Sequence, residues 1–181
     1  MPDDIYVTDT LVNIASQKLS GFDSTIKYVW NSDEVGRFDF ASNIGYYLTY
    51  KTQTLPDVAP EEDAGNSSSL NGTIPRWLAY SSVQYSRGKY GAFVGWQHIP
   101  GIHDIVDDTH TGSFDSFDLN VSYTFGSEIK YLSGARVALG VNNVFNKFGP
   151  QDPSVWTDSN VDVGTYGAVG RFIYVDLKYK F

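Results

Sequence analysis

Residues 117–125 read FDLNVSYTF. Phe117, Leu119, Val121, Tyr123 and Phe125 alternate with Asp118, Asn120, Ser122 and Thr124. Successive side chains of an extended chain point to opposite faces, so this stretch is a strand with one apolar and one polar face. The same period recurs on both sides of it. From Phe22, one face reads Phe22, Ser24, Ile26, Tyr28, Trp30 and the other Asp23, Thr25, Lys27. From Arg37, the apolar face is Phe38, Phe40, Ile44, Tyr46, Leu48, Tyr50, broken by Ser42, against Arg37, Asp39, Ala41, Asn43, Gly45, Tyr47, Thr49.

Trp77 to Tyr85, Tyr90 to Gln97 and Arg136 to Asn142 follow the rule more loosely. In the last segment, Ile173, Val175, Leu177, Tyr179 and Phe181 oppose Phe172, Tyr174, Asp176, Lys178 and Lys180. The pattern predicts seven strands and a possible stub at Ile5 to Thr8, and no helix has a convincing period and caps. An all-β chain follows, in keeping with 13 Tyr and 11 Phe among 181 residues, since aromatic side chains favour strands.

The balance of 21 acidic to 13 basic residues, a net charge of -8, argues against a nucleic-acid partner, which needs a basic footprint. The absence of cysteine rules out a disulfide framework and Cys-ligated metal. No apolar run approaches the ~18 residues of a membrane-crossing helix. The opening MPDDIYVTDT has neither the basic nor the apolar part of a secretory signal.

The connections discriminate further. NSDEVG, SRGK and GSEIKYLSGA join strands briefly, while roughly 52–74, 99–112 and 145–169 are long and polar, and the two kinds alternate strictly. Antiparallel strands with short turns at one end and long loops at the other are the arrangement of an outer-membrane barrel. Aromatics follow the same division. Trp30, Phe38, Tyr85, Tyr90, Phe125 and Phe181 fall at the short-turn ends, and Tyr50, Trp77 and Trp96 at the long-loop ends. Rings with an apolar body and a polar edge settle at both membrane–water boundaries. Periodicity alone leaves open which face is inside. A soluble barrel buries the apolar face, and a membrane barrel turns it to lipid. Loop asymmetry and aromatic placement favour the second.

LGVNNVFNKFGP, a long loop and then TYGAVGRFIYVDLKYKF resemble the last hairpin of TonB-dependent receptors of the Gram-negative outer membrane. The penultimate strand of that family ends in a pattern like Val141-Asn142-Asn143-Val144-Phe145, and its final strand opens on Gly170-Arg171 and closes on an aromatic, here Phe181. NIASQKLSGFDSTIKY and IPRW (Ile74 to Trp77) are similar to other strands of the family, so the resemblance runs from about Val12 to Phe181. It implies a 22-stranded barrel in the bacterial outer membrane, plugged by an N-terminal domain. Such a barrel imports a scarce large nutrient, such as an iron–siderophore complex, cobalamin or an oligosaccharide, with energy from TonB.

With about seven strands and no plug, TonB box or signal peptide, residues 1–181 are expected to be one C-terminal segment of such a barrel. Its partners would be outer-membrane lipid, the TonB complex through a missing N-terminal part, the nutrient, and the barrel-assembly machinery. Ile173, Val175, Leu177, Tyr179 and Phe181 resemble the signal that this machinery reads. The alternatives are a complete small outer-membrane barrel acting as an adhesin or anchor, and a soluble lipocalin-like binding barrel.

No chemistry is expected. Ser and Asp are abundant, but none sits in a nucleophile-elbow pattern, and Asp23, Asp39 and Asp118 with Lys27, Arg37 and Lys178 read as a wetted wall that touches the plug. Hence no catalytic residue, no cofactor and no metal site are assigned. His98, His103 and His110, with Asp104, Asp107 and Asp108 between them, match no ligand spacing and read as a solvated loop. Pro56 to Thr73 reads as a disordered loop, although it could close over a ligand, and Trp156 as a loop-packing residue or a stacking platform.

Overall fold

Alternation this regular leaves each strand one hydrogen-bonding plane and two faces, and the chain uses them in the simplest order. A computed structural model describes residues 16–68, 71–156 and 159–179. The strands are β1 (Ser16–Ser32), β2 (Gly36–Gln53), β3 (Glu61–Glu62), β4 (Asn66–Ser68), β5 (Gly72–Ile74) and β6 (Trp77–Arg87). There follow β7 (Tyr90–Ile99), β8 (His103–Asp104), β9 (Thr109–His110), β10 (Phe114–Thr124), β11 (Arg136–Asn142), the one-turn helix α1 (Val163–Tyr166) and β12 (Phe172–Lys178).

Seven long strands pair in the order β1-β2-β6-β7-β10-β11-β12, each antiparallel to the next, with β3 added to β2. These are the seven strands that the alternation predicts. The stub at Ile5 to Thr8, Lys180 and Phe181 lie outside the described residues. The register brings apolar positions opposite one another across the whole sheet. Tyr28 faces Phe40, Phe40 faces Val83, Val83 faces Val94, Val94 faces Leu119, Leu119 faces Val141 and Val141 faces Ile173. A slip of one residue anywhere would turn a strand inside out, so this agreement of seven patterns fixes the register.

Two details differ from the simple pattern. Ser42, which interrupts the apolar face, stands opposite Ser81, and the two hydroxyls bond at 2.9 Å. Between Ser20/Gly21 and Tyr47/Thr49 the register shifts, leaving Leu48 as a bulge. Beyond it parity changes, so Tyr50 leaves the apolar face, and its ring meets Tyr47 of the polar face edge-on at 5.4 Å. A bulge exchanges the faces of everything beyond it, and period two cannot reveal one. At Gly21 the backbone carbonyl of Tyr46 comes within 2.3 Å of where a Cβ would sit.

The hairpin turns differ in length as the sequence implies. Gly88 (φ +55°) opens the two-residue turn between β6 and β7, where only a glycine takes positive φ at no steric cost.

Candidate functional site

The two ends of the sheet are built differently. At the short-turn end aromatic rings line the apolar face. Trp30 and Phe38 lie 5.3 Å apart, Phe38 and Tyr85 4.8 Å, and Tyr90 and Tyr123 5.2 Å. At the long-loop end of the same face stand Trp77, Trp96 and His98, with His98 4.8 Å from Trp77 and 5.6 Å from Trp96. Asp115 joins this group: its Oδ1 accepts from Trp96 Nε1 at 2.9 Å and lies 2.8 Å from His98 Nδ1. Between the two rows the face is apolar and exposed, with Ile26 at 59% and Val121 at 57%. The opposite face carries Asp23, Lys27, Arg37, Asp39, Asp118, Arg136, Asp176 and Lys178, with Arg37 forked onto Asp39.

The long connections fold together. β5, β4, β8 and β9 form a second, four-stranded sheet from the first two, and its β4–β8 pair is parallel. The third connection is stitched onto it. Ser67 Oγ donates to Asp152 Oδ2 at 2.6 Å across 85 residues, and Ser154 Oγ bonds Asp104 and lies 3.1 Å from Asp152 Oδ1. Thr52 Oγ1 and Asn71 Nδ2 hold the two oxygens of Asp63 at 2.6 and 3.0 Å.

Ile99, Phe114 and Tyr166 form the small core beneath this network, with Phe114 and Tyr166 edge-on at 5.5 Å. Ile99 and Phe114 face each other on the polar side of the sheet, so the connections fold over that side and form a cap. Asp162 caps the start of α1, accepting from Gly164 N at 2.9 Å and Thr165 N at 3.2 Å. Pro56 to Thr73 is therefore partly strand, and the expectation of a disordered loop gives way to packing that local composition cannot encode.

Electrostatics of the cap follow from its burial. Burial opposes the charge on Asp104, but hydrogen bonds from Ser154 Oγ and the backbone N–H groups of Val106 and Asp107 outweigh it and hold the carboxyl below its ordinary value. Burial pushes the Tyr166 phenol up to about 12, helped by the negative charges of Asp162 and Asp152.

The histidines do not converge as one site. His98 belongs to the aromatic row, while His103 and His110 pair across β8 and β9 with rings 4.6 Å apart, and His103 Nε2 lies 2.9 Å from Asp108 Oδ1. Among the described residues no group of three or more His, Cys, Asp or Glu is arranged to hold a metal ion. The Trp156 ring lies against Gly72, as a loop-packing residue does: a Cβ there would come within 2.9 Å of it.

The last hairpin shows why its motif has those residues. Asn143 takes φ +51° and brackets the turn, its Oδ1 accepting from Lys147 N at 2.8 Å and its Nδ2 donating to Lys147 O at 2.6 Å. Asn143 N is tied to Asp118 Oδ1 at 2.8 Å. Asn146, at φ +54°, accepts from Arg171 N at 2.8 Å, so the residue just after VNNVF meets the GR segment. Of the segment read as an assembly signal, Ile173, Val175 and Leu177 lie on the apolar face opposite Val141, Leu139 and Val137, and Tyr179 follows the strand.

No helix among the described residues is long and apolar enough to cross a membrane, which says nothing of a β-barrel. No curated protein and no solved structure matches the chain. The family described as TonB dependent receptor-like, beta-barrel matches residues 1–144. That match covers six of the seven long strands and ends within the VNNVF segment, so Gly170 to Phe181 lies beyond it. The members of this family are transport proteins without catalytic activity. The chain belongs to the TonB-dependent receptor-like β-barrel family.

Proposed function

We propose that residues 1–181 form one C-terminal segment of an outer-membrane TonB-dependent receptor and build part of the wall and the outer cap of an importer. The observation that carries this reading is the continuous apolar face together with two unfinished edges. Among the described residues β1 pairs only with β2, and β12 only with β11. In lipid an unpaired backbone edge costs several kcal/mol per group, so the wall continues past both strands. A closed barrel of 22 strands satisfies it.

Aromatic spacing agrees with this reading. Trp77 and Tyr85, at the two ends of the apolar face of β6, stand eight residues apart. Counted inclusively, Trp77 to Tyr85 is nine residues, at the lower end of the about 9–11 that a tilted strand uses to cross the hydrocarbon layer. Ser42 and Ser81 satisfy each other's hydroxyls within the band. The cap lies at the outer end and the short turns at the periplasmic end. The chain performs no covalent chemistry; it contributes to uptake of a scarce large nutrient, an iron–siderophore complex, cobalamin or an oligosaccharide, energised by the TonB complex through the N-terminal part of the receptor.

Membrane fractionation tests this directly. The receptor carrying these residues partitions with the outer membrane, and its unheated form migrates differently from its boiled form on a gel. A folded, monodisperse protein in buffer without detergent would overturn the reading in favour of a soluble barrel. Ile173, Val175, Leu177, Tyr179 and Phe181 act as the signal for barrel assembly. Phe181→Asp in the receptor lowers outer-membrane levels, and unchanged levels would remove that role.

A further inference from the structure

Two aromatic side chains of β12 stand on the wrong face for a lipid-facing wall. Phe172 and Tyr174 alternate with Ile173 and Val175, so they share the polar face with Asp176 and Lys178. Their rings lie within 22° of parallel, with centroids 6.1 Å apart. Tyr174 is laid flat across β11. A Cβ at Gly140 would come within 2.1 Å of its Cζ, and Asn120 Nδ2, one strand further on, lies 3.4 Å from its hydroxyl. The register explains this, because Gln84, Phe93, Asn120, Gly140 and Tyr174 stand in one row across five strands.

With one side of the ring against the glycine backbone, its other side faces away from the sheet. Beside it opens a depression of about 330 Å³ bordered by Gln84, Phe93, Asn120, Arg136, Tyr174, Asp176 and Lys178. Gln84 spends its amide N–H on Ala92 O at 2.9 Å, which leaves its carbonyl oxygen to accept. Arg136 faces Asp176 at 3.6 Å, a pair too long for a good hydrogen bond.

These groups select a chemistry. Arg136, Asp176 and Lys178 bring charges of both signs to the rim, so a solute of one sign is not matched throughout, and an apolar one would strip water from charged groups and return nothing. A sugar presents a face of C–H groups to a ring and a rim of hydroxyls that both donate and accept. Flat rings bordered by amides, a guanidinium and a carboxylate match it in kind. We propose that Phe172 and Tyr174, with Asn120, Gln84, Arg136 and Asp176, form a carbohydrate-stacking platform on the inner wall. The proposal deepens the transport reading and rests on it, naming a neutral oligosaccharide as the cargo.

The test is calorimetric titration of the detergent-solubilised receptor, purified from outer membranes, with maltohexaose, cellohexaose, laminarihexaose and mannohexaose. At least one binds saturably. Tyr174→Ala and Phe172→Ala each weaken it about tenfold, the order expected for loss of one ring contact. Tyr174→Phe keeps the ring and costs less than about threefold. Phe172, 53% exposed, can be truncated without disturbing the fold, so its variant stays informative if Tyr174→Ala fails to assemble. Binding of none of the four, or binding indifferent to Phe172→Ala, overturns the platform. A receptor that fractionates with the outer membrane yet binds no hexaose sinks the platform alone, and one absent from that membrane sinks the transport reading.

Discussion

The sheet and the cap are held together by different physics. Apart from Ala79 and Ala138, the buried apolar residues (Ala64, Ile99, Ile102, Phe114 and Tyr166) sit at the long-loop end, as do Thr52, Asp63, Ser67, Ser68, Thr73, Asp104, Asn143, Asp152 and Asp162. The sheet's own apolar residues stay exposed, Leu177 at 76% and Val175 at 64%. The cap is thus a small water-soluble protein in its logic, with a hydrophobic centre and the buried carboxylates of Asp63, Asp104, Asp152 and Asp162 held by hydrogen bonds. The sheet keeps its shape through backbone pairing and cross-strand contacts, and leaves exposed the apolar side that the proposed reading turns to lipid. Perturbations of the two should therefore separate.

Gly21→Val should have the largest effect. The new side chain would have to displace the Tyr46 carbonyl, which is backbone and part of the ladder. Overpacking that no side chain can relieve costs about 3 kcal/mol or more. The expected outcome is loss of the unheated gel form and degradation of the whole receptor. Normal assembly would show that the bulge is not fixed by Gly21, and that the β1–β2 register has slack.

Asp152→Ala comes next and should act on the cap alone. It leaves the buried Ser67 hydroxyl without its acceptor at 2.6 Å, and a hydrogen bond to a charged group is worth about 1.5–3 kcal/mol. Hydrogen exchange of Ser67 and Ile105 should accelerate about tenfold or more, while amides of β10 and β11 keep their protection. Equal acceleration in both regions would mean that cap and wall unfold as one unit.

That division also explains how much was legible in the sequence. The seven strands were readable because each meets the same two surroundings along its length, and period two records this directly, from Phe22 to Leu177. The motif residues were readable as a resemblance, and Asn143 and Asn146 now have a reason, since both take positive φ at the exit of β11. The cap was not readable. Its central bond joins Ser67 to Asp152, and no local signal in a polar, Gly- and Pro-rich stretch marks a partner so far along the chain. The turn of α1 is capped by Asp162, yet four helical residues carry no period to detect. Tyr50 changed face because of one extra residue.

Titration separates the regions more gently. Asp104 has its carboxyl held below the ordinary 3.8 in the folded cap, so its ionised form favours folding. That contribution is present above the ordinary value and is lost as pH falls through the depressed one. Tyr166 works at the other limit. Its phenol is raised from 10.0 to about 12, so stability from the neutral ring is present below pH 10.0 and lost as pH rises towards about 12. Exchange of the cap amides should accelerate at both extremes, with little change in β10. Cap protection that stays flat from pH 3 to pH 11 would show that neither group is coupled to its opening.

At the other end, Lys89 and Glu128 form an ion pair between two short turns, and each holds the other's charged form, Lys89 raised and Glu128 lowered by their hydrogen bond. Both side chains are largely open to solvent, at 41% and 50%. An exposed pair of this kind gains little over two hydrated ions and is screened by salt. Lys89→Ala should therefore leave the thermal midpoint and the exchange of both regions unchanged. The turn it sits in is set by Gly88, whose positive φ survives the substitution. A measurable loss, relieved by also removing Glu128, would mean that the short turns contribute to the wall through charge as well as backbone geometry. The contrast between a cap built on side-chain bonds and a sheet built chiefly on backbone pairing would then stop at the short-turn end.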